Sequence, residues 1–466
     1  MFLATVFLTL NIADKLAAFA QFALVLGIMV IVHELGHFLV AKACGVRVEA
    51  FAVGFGQRLF GIVHNGTDYR LNLFPVGGYV KMAGMELTGV ARTDDPGEYQ
   101  NHPRWQRTLI TLAGPVFNFV LAFFLLLGLY TTHHEVPNYA VAAITADYVA
   151  DNSVVAQTGM RAGDRLLRFD TIENPTFEDL FVRSHLNLNG TVAFDYEHNG
   201  TQVDSRIFIE NKGREEEFDP FKLGLIPIMQ PGPVRVDSLQ DATAPAARAG
   251  LLPGDSILRI DALSPHSVQT TIAYLDDRKG APAVLTVQRP GQASPLQLAV
   301  TPVLTDTREG KAYRLGFSPV LPPVTYNKLS LKAAARESWD NNVKNSRLIL
   351  VVVQRLFTRQ VSVKSLSSPI GMGVQVHQAF STRNWNIVIE MMAMISLNLG
   401  IFNLLPIPIL DGGMIVFLFI ESLMRRDVSP AIKERVFQVA FVFILLFAAV
   451  VIFNDLTKLI TPHIKT

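Results

Sequence analysis

The sequence predicts a polytopic α-helical membrane protein with four transmembrane helices and a duplicated α+β insert on one side of the membrane. Three observations carry this reading. Half of the 466 residues are hydrophobic and only 17% are charged, whereas a water-soluble domain carries about a quarter charged residues; mean hydropathy is +0.30. Four stretches can each cross the roughly 30 Å hydrocarbon core, which takes about 20 helical residues. The long segment between the second and third of them repeats itself. A net charge of +1 gives no reason to expect nucleic acid, and a single cysteine, Cys44, excludes an intramolecular disulfide framework or a Cys-rich zinc module. Cys44 reads as a small packing residue.

The spans come first. They run from Leu16 to Val40, from Leu109 to Tyr130, from Ile387 to Leu405 and from Val436 to Phe453. The third is laced with Glu390, Ser396, Asn398 and Asn403; the fourth is plain. The N-terminal MFLATVFLTLNIA lacks a basic n-region and is not read as a cleaved signal peptide. Basic residues set the orientation. Lys42, Arg47, Arg58, Arg70, Lys81, Arg92, Arg104 and Arg107 follow the first span, and Arg425, Arg426, Lys433 and Arg435 precede the fourth. The positive-inside rule puts both loops in the cytoplasm, and the termini and the long insert outside.

Within the insert, SVVAQTGMRAGDRLLRFD from Ser153 aligns without gaps to APAARAGLLPGDSILRID from Ala244. Identities fall at Ala156/Ala247, Gly159/Gly250, Gly163/Gly254, Asp164/Asp255, Leu167/Leu258, Arg168/Arg259 and Asp170/Asp261. A second match pairs FKLGLIPI from Phe221 with YRLGFSPV from Tyr313, and between the two matches each copy holds a hairpin pattern. This is a tandem duplication of a domain of about 90 residues. The GL.PGD.I..ID stretch resembles PDZ domains, which bind extended peptides at a sheet edge; a spacer without a ligand is the alternative. The insert then either gates by steric exclusion or captures peptides.

The chemistry lies in the first span. His33-Glu34-Leu35-Gly36-His37 is an H-E-x-x-H motif. On a helix, positions i and i+4 share a face, so both imidazoles reach one metal ion and the glutamate stands near its open position. Zinc lowers the pKa of a bound water to about 7. The alternative, two partly buried histidines at a helix end, is weakened by the location, because ionisable groups within a membrane are expensive. A catalytic zinc usually takes three protein ligands. The adjacent His133 and His134 stand at the wrong end of the second span. Asp411 in NLLPIPILDGG is the better candidate: Pro406 and Pro408 break the third span and make room for a polar cavity. Its alternative role is an N-cap for a helix starting at Met414.

H-E-L-G-H together with NLLPIPILDGG resembles the site-two protease family of intramembrane zinc metalloproteases, and the duplicated insert resembles its bacterial RseP-type branch. The resemblance implies one Zn2+ per chain on His33, His37 and Asp411, with Glu34 as general base and acid. It implies that Asn403, Pro406 and Pro408 handle the substrate. Gly54 to Gly56 and LFPVGGYVKM, with Gly77 and Gly78, resemble the family's membrane-re-entrant β-hairpin, and AGPVFNF its second-span motif, with Asn118 at the polar position. The Asn65-Gly66 turn between alternating runs independently reads as a hairpin. Its edge either pairs with an unwound substrate or only packs against the spans.

The expected organisation is a first membrane part (1–135, with the β-loop at 51–82), PDZ-like domains at 136–228 and 229–322, a helical connector (323–386), and a second membrane part (387–466). The connector is half polar and then apolar, and suits the outer membrane surface or a brace for the insert. Residues 213–218 read as a solvated loop. The expected protein sits in a bacterial inner membrane, in contact with lipid, its active site toward the cytoplasmic side. It cuts transmembrane protein substrates that have already been trimmed outside. The resemblance suggests anti-sigma factors in envelope-stress signalling, or remnant signal peptides. The rival is a PDZ-bearing membrane scaffold with a non-catalytic metal site, against which the intact Glu34 argues.

Overall fold

The computed structural model describes residues 12–85, 94–211, 220–307, 310–322, 324–358 and 369–460; Arg92 and the loop expected at 213–218 lie outside them. The chain divides into two compact units, one formed by Met1–His134 with Lys328–Thr466, the other by Glu135–Asn327.

The first unit opens with helix α1, Ile12–Ala43. It ends where Gly45 turns left-handed (φ 88). Val46 N–H then bonds the Ala41 carbonyl at 2.9 Å and Gly45 N–H bonds that of Lys42 at 3.1 Å, a Schellman stop that satisfies two orphan carbonyls. Strands β1 (Val48–His64) and β2 (Thr67–Met82) follow. The turn between them has both Asn65 (φ 47) and Gly66 (φ 75) at positive φ, as a type I′ hairpin requires. The hairpin is folded over on itself. Its tip pairs antiparallel, from Phe60–Leu71 to His64–Thr67, and its base pairs antiparallel, from Val48–Met82 to Val53–Gly78. Between them Ala50–Asp68 to Val53–Leu71 rise together along both strands, so this middle pairing runs parallel. Four short tracks result, bent at Gly54 (φ 82), Gly56 (φ 90) and Gly77 (φ 88). Phe60, Ile62 and Val63 on the tip track, and Phe74 at the bend opposite Phe55, are exposed. Helix α2, Arg104–Thr132, comes next.

The second unit is closed by a ribbon in which β3 (His134–Pro137) pairs with β18 (Val324–Asn327). Inside it the duplication is visible as strand order. In the second copy β11 (Val234–Leu239), β12 (Ser256–Ile260), β13 (Ala283–Gln288), β14 (Leu296–Val300) and β17 (Phe317–Pro319) form one sheet in the order β14-β13-β12-β11-β17. In the first, β4 (Ala146–Val149) pairs with β10 (Leu225–Pro227), a Thr145–Arg165 bridge leads to β5 (Arg165–Phe169), and β7 (Thr191–His198) joins β5 to β9 (Arg206–Phe208). Helices α3 (Phe177–Leu186) and α4 (Val268–Asp277) occupy matching places; β6 (Ile172–Glu173) on β5, β8 (Thr201–Val203) on β7, and the pair β15 (Val303–Thr307) with β16 (Gly310–Arg314) are the remaining strands described. The repeated residues are those the turn needs. Gly159/Gly250, Gly163/Gly254 and Asp170/Asp261 all have positive φ. Asp164 accepts from the Arg161 N–H at 2.8 Å, as Asp255 does from that of Leu252 at 2.9 Å.

The copies differ in the partner of that aspartate: the His198 imidazole at 2.8 Å for Asp164, the Arg289 guanidinium at 2.8 Å for Asp255. They are also clamped together. Asp147 of β4, buried, accepts from the His266 backbone N–H (2.8 Å) and Nδ1 (2.7 Å) and from the Thr270 hydroxyl. The Tyr148 hydroxyl donates to Asp277 at 2.7 Å.

The first unit resumes with α5 (Leu331–Phe357), α6 (Pro369–Ser381), α7 (Trp385–Asn403), α8 (Asp411–Met424) and α9 (Pro430–Ile460). The connector therefore includes a helix, α5, whose Ala334 and Ile349 are buried in one cluster with Leu126 and Leu129 of α2 and Leu397 and Ile401 of α7. Asn341 adds a 2.7 Å hydrogen bond to the Tyr130 hydroxyl. It packs on the apolar helices. Among the described residues three helices are long and apolar enough to cross a membrane: Asp14–Ala43, α2 and α7. The fourth stretch expected, Val436 to Phe453, falls within α9.

The Asp255–Arg289 pair yields a test. Burial pushes the Asp255 carboxyl up, but the Arg289 guanidinium and the Leu252 N–H outweigh it and hold the group below the ordinary carboxylate range. With the folded value depressed, the pair's stabilisation is complete above the unfolded value of about 3.9 and is lost as pH falls through the folded one. Arg289→Gln leaves the Asp255 carboxylate without its cation, read as a lower unfolding temperature at neutral pH. Below about pH 4 the wild type should lose stability more steeply than Asp255→Asn. Parallel pH profiles would refute this account.

Candidate active site

The site is built where α1, α2 and α8 meet. Gly36 lets α1 approach α2 at backbone distance: a Cβ there would run into the Ala113 carbonyl group and stand 2.9 Å from the Phe117 ring. Gly114 does the same one turn on, where a Cβ would collide with the His37 ring and stand 2.8 Å from His33 Cε1. On the third side, α7 ends at Asn403 and the chain turns through Pro406 and Pro408 into α8. Gly412 and Gly413 press against the carbonyls of Leu404, Leu405 and Ile407, where no side chain fits. Asp411 is thus the first residue of the helix, not a cap before Met414, and Leu410 takes the N-cap place. The other end of α8 is anchored by Glu421, fully buried, which accepts from Lys433 at 2.6 Å and from the Val428 N–H at 3.1 Å.

His33 and His37 are both buried. Their Nε2 atoms lie 3.1 Å apart, and the Asp411 Oδ2 stands 3.1 Å from the first and 3.5 Å from the second. Tetrahedral zinc with bonds of about 2.0–2.1 Å separates its ligand atoms by about 3.3 Å. The spacing fits. Asp411 Oδ2 is also a buried acceptor with no hydrogen bond, and two imidazoles with one carboxylate is a donor set that suits zinc. Among the described residues no other group of three or more His, Cys, Asp or Glu side chains is arranged to hold a metal.

The remaining residues expected at the site are distributed around this centre. Glu34, between the two histidines on α1, faces β2: a Cβ on Gly78 would stand 3.7 Å from its Cγ. Gly77 holds the left-handed bend and has no space for a side chain beside Phe55. Asn403 places its amide 3.5 Å from both ring nitrogens of His33. Pro406 and Pro408 stay in the turn before α8. Sequence reasoning missed the Ile110 carbonyl, 2.7 Å from His37 Nδ1; a backbone acceptor leaves no mark on residue type.

Two histidines and an aspartate gathered on one point, with a glutamate beside them, form a group that could hold a metal ion. The chain belongs to peptidase family M50, whose model matches residues 21–447. It is 31% identical to a putative zinc metalloprotease of Vibrio cholerae over 465 residues, covering 96% of this chain and 100% of that protein. It is 30% identical to the regulator of sigma-E protease RseP of Escherichia coli over 458 residues (94% and 98%), and 31% identical to protease RseP of Yersinia pestis over 466 residues (94% and 98%). The protein is a zinc metallopeptidase that acts in a membrane, and the scaffold reading is not favoured.

Gly114→Ala should remove room the imidazoles need. The expected result is a folded protein with much less than one bound zinc, measured by metal analysis after gel filtration; full zinc content would mean the rings do not depend on that gap.

Proposed function

We propose that His33, His37 and Asp411 hold the zinc and that Glu34 is the general base and acid of an endopeptidase that cuts transmembrane segments of already trimmed membrane proteins. The observation that carries this is the meeting of three ligand atoms at 3.1–3.5 Å beside a glutamate that lies against a strand. Bound zinc supplies a Lewis acid and an acidified water. Glu34 takes a proton from the attacking water and returns it to the leaving amine. A helical substrate hides its peptide bonds in its own ladder, so it has to be extended before it is cut. The track of β2 at Gly77, Gly78 and Val80 offers backbone pairing for the extended segment, with Glu34 beside it. Asn403, Pro406 and Pro408 line the opposite approach. The exposed apolar tip of the hairpin suits re-entry into lipid, and α9 supplies the fourth span. The duplicated modules are PDZ-like and lie outside a bacterial inner membrane, with the catalytic site toward the cytoplasm. Relatives named for sigma-E regulation favour an anti-sigma factor as substrate, with remnant signal peptides as the other class.

The decisive experiment compares zinc content with cleavage of a model transmembrane substrate. Glu34→Gln should keep about one zinc per chain and lose cleavage by at least 100-fold, in the range for a general base. His33→Ala, His37→Ala and Asp411→Ala should lose both. Normal cleavage by Glu34→Gln would end the hydrolytic assignment, and wild-type zinc affinity in Asp411→Ala would move the third ligand elsewhere.

Sidedness is tested on a Cys44→Ser background. A single cysteine at Gln288 should react with an impermeant maleimide from outside, and one at Arg92 only after the membrane is opened. The reverse pattern overturns the orientation.

A further inference from the structure

One face of α2 carries Ile110, Gly114 and Asn118, four residues apart, under the two histidines. Gly114 leaves room for the rings. Ile110 and Asn118 meet their back nitrogens: the Ile110 carbonyl lies 2.7 Å from His37 Nδ1 and the Asn118 side-chain amide 3.1 Å from His33 Nδ1. The Asn118 side chain is fully buried, and its Oδ1 has no hydrogen-bond partner. Its helix position is held by the Ser396 hydroxyl, which donates to the Asn118 backbone carbonyl at 2.9 Å.

A histidine that ligates through Nε2 carries its proton on Nδ1, and the partner of that proton fixes the tautomer and ring orientation. For His37 the partner is a carbonyl, which can only accept, so its proton sits on Nδ1 and its Nε2 lone pair faces Asp411. For His33 the amide offers either a donor or an acceptor. With Nδ2 toward the ring, the proton is driven to Nε2, the atom that faces Asp411 and His37. With Oδ1 toward the ring, the orphaned oxygen gains its partner and Nε2 is free to ligate. Asn403, 3.5 Å from the same ring, is beyond ordinary hydrogen-bond length and leaves the selection to Asn118.

We propose that Asn118 is a positioning residue that selects the metal-binding tautomer of His33 by accepting its Nδ1–H. This rests on the reading of His33, His37 and Asp411 as zinc ligands. Outer partners of this kind typically change metal affinity 10–100-fold.

The test is zinc affinity of the purified full-length protein in detergent, by competition with a chromophoric chelator, with the visible spectrum of the Co2+-loaded protein as a second readout. Asn118→Leu keeps the volume and removes the acceptor; Asn118→Ala removes it without bulk; Asn118→Asp keeps an acceptor and removes the donor. Leu and Ala should bind zinc about 10–100-fold more weakly and alter the Co2+ spectrum, while Asp should stay near wild type in both. A packing role predicts the opposite order, with Leu tolerated and a buried Asp harmful. Wild-type affinity in the Ala variant, or a folded Asp variant as weak as Leu, overturns the proposal; should Leu or Asp fail to fold, the Ala variant decides. His37→Ala separates the two levels, because wild-type zinc affinity there would sink the ligand assignment itself, whatever Asn118 does.

Discussion

Everything at the candidate metal site depends on how closely α1 and α2 approach. Two glycines set that distance, Gly36 against the Ala113 carbonyl group and Gly114 against the imidazoles. In lipid there is little hydrophobic drive between helices, and small residues let backbones meet so that dispersion and hydrogen bonds hold them. Here the same close approach brings a backbone carbonyl and a side-chain amide to the rings. A wider gap would leave His33 and His37 with buried, unpaired nitrogens. Asp411 is placed by the same device, since Gly412 and Gly413 let α8 start against the turn that ends α7.

The second unit reaches rigidity differently. Its copies share turn chemistry, with left-handed glycines and an aspartate on the turn's own amide, and each buries its own cluster of aliphatic and aromatic side chains. They are not interchangeable. The clamp uses Asp147 of one copy and His266 and Thr270 of the other, so duplication was followed by specialisation of facing surfaces. Asp147 is buried with three donors around it, an arrangement that makes the relative angle of the copies costly to change.

Much of this was legible in the sequence, and the reasons are physical. H-E-x-x-H is readable because helical periodicity alone brings positions 33 and 37 together. Asp411 is readable because an acid beside helix-breaking prolines and two glycines in an apolar stretch has few other uses. The duplication appears in residue identities because left-handed turns tolerate few residue types. Other features were closed to such reading. The hairpin turn at Asn65-Gly66 was visible, but the parallel pairing of Ala50–Val53 with Asp68–Leu71 is a tertiary event with no local signal. The Ile110 carbonyl carries no residue-type mark. Helix α5 had an amphipathic pattern that suited a water–lipid boundary equally well; its packing on α2 and α7 was decided by Ala334, Ile349 and Asn341 meeting partners far away in the chain.

The ribbon of β3 with β18 brings the two ends of a very long insert side by side. Closing a loop carries an entropic cost that rises with its length, by about 0.6 kcal/mol per doubling. Once the ribbon forms, that cost has been met inside the second unit, and the helices flanking it are joined by what amounts to a short hairpin. The insert then behaves as a cassette. Its length, its repeat number and its surface can drift without stretching or slackening the connection between α2 and α5, so the insert is free to evolve at its own rate while the flanking helices keep theirs.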